Sequence, residues 1–188
     1  MYISFNFFKL SFFLGESLPY FYSTLKKQKI MKKLAIFLLM IASMASVFAQ
    51  SADELAILDA LNKYRESNRL PKVSYSKEIS KAARHHATYL SLCRERNLFM
   101  VGHDEVHRLP NWNSYSFNQR MAFLRKEGFD SEGEIQWQGG PIEINAKEII
   151  DGFHSSPPHM EILRNRKSKL VGIGNVGGCT VIVFGNQL

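Results

Sequence analysis

Three residues of this chain have the chemistry of a polar site: His103, Glu134 and His159. Glu134 follows a glycine and opens the stretch Glu-Ile-Gln-Trp-Gln-Gly-Gly-Pro. His159 ends the stretch Phe153-His-Ser-Ser-Pro-Pro-His159, where a Ser-Pro-Pro turn presents an imidazole. His103 lies upstream, after Gly102. Two imidazoles and a carboxylate supply the acid and base groups of a polar cleft. They also suffice to hold a divalent cation such as zinc, with water in an open fourth position. A metal held by histidine is lost as pH falls through the imidazole range, because a ligating ring must be neutral. The same residues could equally hold one another and a few waters with no metal, so no cofactor is required.

Rival chemistries are weaker. His103-Asp104-Glu105-Val106-His107 has two histidines four apart, as on a zinc-protease helix. There the catalytic Glu directly follows the first His, and here Asp104 stands in that place. Gly102 and Pro110 also leave little room for a long helix. Cys93 lies on an apolar helical stripe, where a buried thiol is inert. No nucleophile elbow or triad is present. Two function classes remain. One is a binding module that takes a lipid, glycan or peptide in the cleft or an adjacent groove. The other is a hydrolase with Glu134 as general base and His103, His159 or a metal-bound water completing the site.

The N-terminus points to export. Met31-Lys32-Lys33 is a short positive segment, Leu34 to Val47 is apolar, and Val47-Phe48-Ala49 fits a small-x-small cleavage site. Residues 31–49 are therefore expected to be a signal peptide, since the apolar run is short for a membrane span. Translation is expected to start at Met31, which makes residues 1–30 an upstream extension. The mature domain would be residues 50–188, periplasmic or extracellular and without a transmembrane anchor. Of the 24 Lys+Arg and 17 Asp+Glu in the chain, six and one fall in residues 1–49, so the remainder carries only +2. A nucleic-acid partner is not expected at that charge.

One domain of this length needs elements that bring the three site residues together. Ser51 and Glu54 form a capping box, and Leu55, Leu58, Leu61 and Tyr64 continue a helix to about Ser67. Ser76 caps a second helix, with Ile79, Ala82, Ala83, His86, Leu90 and Cys93 on one face. His86 is expected as a hydrogen-bonded core histidine and His85 as a solvated neighbour. Residues 101–113 read as loop, and Ser116 opens a third helix ending at Gly128. Glu134 to Trp137 is a short strand, and Gly139-Gly140-Pro141 is a turn. A fourth helix carries Ile142, Ala146, Ile149, Ile150 and Phe153. Ser156 before Pro157 starts another helix, with His159 in its first turn. Leu170 to Ile173 and Cys179 to Phe184 are strands joined through Asn175-Val-Gly-Gly178. Helices first and strands last predict an α+β fold with a mostly antiparallel sheet. A disulfide between Cys93 and Cys179 would tie opposite ends of such a domain, and two buried thiols is the alternative.

The chain resembles the CAP superfamily of cysteine-rich secretory proteins, antigen 5 and pathogenesis-related proteins, also called the SCP domain. It is most similar to the short bacterial branch. The matching pieces are Leu61-Asn62 with Arg65, Ala83 with His86-Ala87, Gly102-His103, Arg120 with Gly128, Gly133-Glu134, Ser156-Pro157-Pro158-His159 with Ile162-Leu163, and Val171-Gly-Ile-Gly174. They span residues 55–185. The resemblance implies an α-β-α sandwich, with a small sheet between helical layers and a cleft lined by two histidines and one or two glutamates. His103, Glu134 and His159 match cleft positions. Ile135 replaces the family's usual Asn, Pro158 its usual Gly, and Phe153 its usual Trp. The family's second cleft glutamate falls near Ser156, so the resemblance implies a reduced cleft.

Overall fold

The computed structural model describes residues 51–98, 102–138 and 145–188. The proposed signal peptide, residues 1–30, the Gly139 to Pro141 turn and Ile142 lie outside them. Among the described residues no helix is long and apolar enough to cross a membrane.

The elements in chain order are α1 (Ala52–Ser67), β1 (Ser74–Tyr75), α2 (Lys77–Glu95), α3 (Phe117–Lys126), β2 (Phe129–Gln138), α4 (Ala146–Gly152), a 3-10 turn (Phe153–Ser155), α5 (Pro157–Leu163), β3 (Leu170–Val176) and β4 (Cys179–Gln187). The sheet order is β1-β3-β4-β2. Its long pairings are antiparallel, and only the two-residue β1 runs parallel to β3. Three N-caps are those the sequence predicts, and Asn145 caps α4 without having been predicted. Ser51 and Ser116 both close full capping boxes, and Ser76 accepts from the Ile79 amide. Ser156 differs: its side chain makes no cap bond, and α5 begins on Pro157 alone. A proline there has no amide to satisfy and a φ already set for the helix.

Alternation along the strands builds two cores. Val171, Ile173, Ile182, Phe184 and Ile135 face α1, α4 and α5, packing on Ile57, Leu61, Ile150 and Leu163. Val181, Val183 and Cys179 face the other way, onto Ile79, Ala83, Leu90 and Cys93 of α2 and Leu124 of α3. The result is an α-β-α sandwich. Helix α2 lies almost against the backbone of β3. A Cβ on Gly172 would come within 2.3 Å of the Ile79 carbonyl carbon, and one on Gly174 within 2.4 Å of the Arg84 amide. The glycines of Val171-Gly-Ile-Gly174 are thus the contact surface for that helix.

Several readings need correction. The first helix buries its predicted stripe only in part: Leu61 is buried and Leu58 and Tyr64 pack partly buried on the core, but Leu55 is 50% exposed, and Glu54, Ile57 and Arg65 are buried as well. Polar partners explain the two charged residues. Glu54 accepts from Arg84, and Arg65 donates to the carbonyls of Pro71, Leu163 and Asn165. Periodicity sees only apolar residues and so misplaces a face that carries buried ion partners. Strand β2 starts at Phe129, earlier than Glu134, because an irregularity between Ser131 and Gly133 interrupts the alternation that marks strands. Cys93 and Cys179 are free thiols in the α2-side core, and burial pushes both up in pKa.

Candidate functional site

Glu134 projects from β2, an edge strand of the sheet, toward the α2 and α3 layer. Its side chain is fully buried. Gly133, just before it, has φ +149, and a Cβ there would lie 2.9 Å from Ile162 Cγ1 of α5. The glycine lets the helix approach and turns the strand at the point where the carboxylate leaves it.

Arg120, buried on α3, holds Glu134 in place. Its Nη2 donates to Glu134 Oε1 at 2.8 Å and Oε2 at 3.0 Å, and to the His103 carbonyl at 2.9 Å. His103 Nδ1 lies 2.9 Å from Glu134 Oε1. Burial pushes the Glu134 carboxyl up, but the His103 hydrogen bond and the charge of Arg120 outweigh it and hold the carboxyl below its ordinary range. An ionised carboxylate only accepts, so His103 Nδ1 donates to it, and Nε2 makes no hydrogen bond among the described residues. The His103 side chain is 41% exposed and meets Phe117 edge-on at 6.0 Å. His159, half-buried, packs edge-on against Phe153 at 5.2 Å. Burial first, and the nearby His103 second, lower its pKa and favour the neutral ring.

A second buried carboxylate, Glu105, was not singled out as a site residue. It accepts from His85 Nε2, His86 Nδ1, Trp112 Nε1 and the Tyr115 amide at 3.0–3.2 Å. Arg120 Nη1 lies 3.5 Å from it, so one guanidinium bridges both carboxylates. Burial pushes the Glu105 carboxyl up, but hydrogen bonds from His85 and His86 override this and bring it to about 2. The Gln136 side-chain amide lies 2.9 Å from His86 Nε2. The atom facing Nε2 is Gln136 Oε1, so both ring nitrogens of His86 have polar partners. His86 is therefore the predicted core histidine. His85 is only partly solvated: its side chain is 27% exposed, stacks on Trp112 at 4.6 Å and has a partner in Glu105. Ser156 supplies no carboxylate to the cleft, and Glu105 is a closed-off carboxylate of the His103 loop that joins Glu134 only through Arg120.

Three of the predicted metal ligands do not assemble as such. Among the described residues no group of three or more His, Cys, Asp or Glu is placed to hold a metal ion. The physical reason is Arg120, which occupies both oxygens of Glu134 with a competing positive charge.

The sequence model of the cysteine-rich secretory protein family, CAP, matches residues 58–183. The chain belongs to the CAP family. An outer surface protein of Borrelia burgdorferi has a similar structure, with TM-score 0.55 and 18% identity over 74% of this chain and 96% of that one. An extracellular protein containing an SCP domain from Bacillus anthracis gives TM-score 0.50 at 16% identity, over 72% and 44% of the two chains. A cysteine-rich secretory protein from Staphylococcus aureus gives 0.50 at 13%, over 72% and 38%. This CAP chain thus spans less than half the length of the latter two. Identities this low support the fold alone. No curated protein matches the chain.

Proposed function

We propose that this CAP protein is an exported binding module whose cleft takes a hydroxyl-rich ligand of the glycan class, with no catalytic step. The observation that carries this reading is the saturation of Glu134. A general base needs a free lone pair and a pKa raised toward the working pH. Glu134 has Arg120 on both oxygens, His103 on one, and a lowered pKa. It serves as an anchor that orients the His103 ring, leaving Nε2 to share a hydrogen bond with a ligand hydroxyl. His159 adds a second neutral imidazole, and Phe117 an apolar surface against which a sugar face can lie.

Saturation-transfer NMR of the exported protein with cell-wall oligosaccharides tests this. The expected outcome is ligand signal that weakens strongly in His103→Ala, with no new reducing ends over long incubation. Release of cleaved sugar would establish the hydrolase instead, and equal signal from wild type and His103→Ala would discard the cleft as the site. Zinc calorimetry is expected to give no stoichiometric uptake. Mass spectrometry of co-purifying ligands separates glycan from lipid or peptide. N-terminal sequencing is expected to begin at Gln50.

A further inference from the structure

A second cavity, of about 290 Å3, opens between α2 and α3. Pockets for small ligands start near ~300 Å3, so its occupant is small. Tyr115 and Phe123, both in its wall, stand 5.1 Å apart at 84° and form a corner of two perpendicular rings. Phe123 is 45% exposed. Ring faces carry negative charge density and attract cations. Phe123 already draws one, since Lys126 Nζ sits 5.9 Å from its centroid.

The charges lining this cavity point the same way. Glu78 and Glu127 line it and form no ion pair among the described residues, and Lys81 offsets one of them. Arg120 adds no free positive charge, because its guanidinium is committed to Glu134 and Glu105. His85 faces Glu105 through Nε2, and its Nδ1 makes no hydrogen bond among the described residues. An anion here would meet two carboxylates and two ring faces. With Lys81 offsetting one carboxylate, an uncharged ligand would leave the other without a counter-charge from the lining.

We propose that this cavity is a binding site for a small organic ammonium ion, held in the corner of Tyr115 and Phe123 and balanced by Glu78 and Glu127. The site is separate from the glycan cleft and does not depend on that reading. Its charge comes from side chains, so binding weakens with added salt.

Choline is the probe, and 3,3-dimethylbutan-1-ol is its uncharged twin of the same shape. Titration of the isotope-labelled protein, followed by amide shifts, is expected to saturate at Ala82, Tyr115 and Phe123 with choline. The alcohol is expected to bind at least about tenfold more weakly. Phe123→Ala and Glu127→Gln change exposed side chains and leave the fold intact, and each is expected to weaken choline severalfold. The proposal is overturned if choline produces no saturable shifts, if the alcohol binds equally well, or if both variants bind choline as wild type does.

Discussion

Arg120 sits between two buried carboxylates whose surroundings differ. Glu105 is closed off by four donors from His85, His86, Trp112 and the Tyr115 backbone. Among the described residues Glu134 has two side-chain partners, and one of them, His103, reaches solvent. The same charge is thus a lock at one end of the guanidinium and the floor of an open cleft at the other. A fully satisfied buried network rigidifies the loop that carries it. Glu105 does this for the loop between α2 and α3, where its own amide also donates to the Tyr115 carbonyl at 3.2 Å. That loop delivers His103 to Glu134. The pairing at the cleft therefore depends on the pairing at the lock.

The largest effect is expected at the shared residue. Arg120→Met removes the cation from between two buried carboxylates and leaves both uncompensated. Breaking a buried pair by removing one partner costs about 3–5 kcal/mol. Urea denaturation at neutral pH should show a loss of that size. A loss under ~1 kcal/mol would mean that the two ends do not depend on one another through Arg120.

Much of this fold is legible in the sequence because its signals are local. Ser51, Ser76 and Ser116 announce helix starts by short-range bonds, and Ile79 to Cys93 announce a buried face by spacing. His103, Glu134 and His159 are legible as cleft residues through the family resemblance. The Glu105 lock is not legible in the same way. Its donors come from residues 85, 86, 112 and 115, and no local pattern ties them together. The run from His103 to His107 hides Glu105 further, because its spacing suggests a helix that does not form. One signal was available. A second helix with adjacent histidines, one of them on an apolar face, requires a polar partner for the buried ring, and a carboxylate in the next loop is the natural candidate.

An intermediate effect is expected at the lock itself, and pH sharpens it. The Glu105 carboxyl is lowered from an ordinary value of 4.5 to about 2 in the folded protein. A depressed carboxyl contributes stability that is fully present above the unfolded value and is lost as pH falls through the folded one. The shift corresponds to a contribution on the order of 3 kcal/mol at neutral pH. Glu105→Gln should therefore be less stable than wild type at pH 7. The gap should narrow as pH drops from 4.5 toward 2. Urea midpoints for the two proteins across that range test this, and a constant gap would mean that Glu105 carries no special charge stabilisation.

The smallest effect on stability is expected at the open end. His103→Ala removes one hydrogen bond to Glu134, but Arg120 remains on both carboxylate oxygens. The imidazole is 41% exposed, so little apolar surface is uncovered, and water can replace it at Glu134. The expected cost is about 1 kcal/mol or less, the net worth of a typical hydrogen bond. His86→Ala is the matched comparison at the closed end. That ring is fully buried and bonded at both nitrogens, to Glu105 and to Gln136, so its loss strands two polar partners in the core. A penalty at least twice that of His103→Ala is expected. Equal penalties from denaturation would erase the distinction between lock and cleft. A small penalty at His103 together with lost glycan binding would place it among the residues retained for ligand rather than for fold.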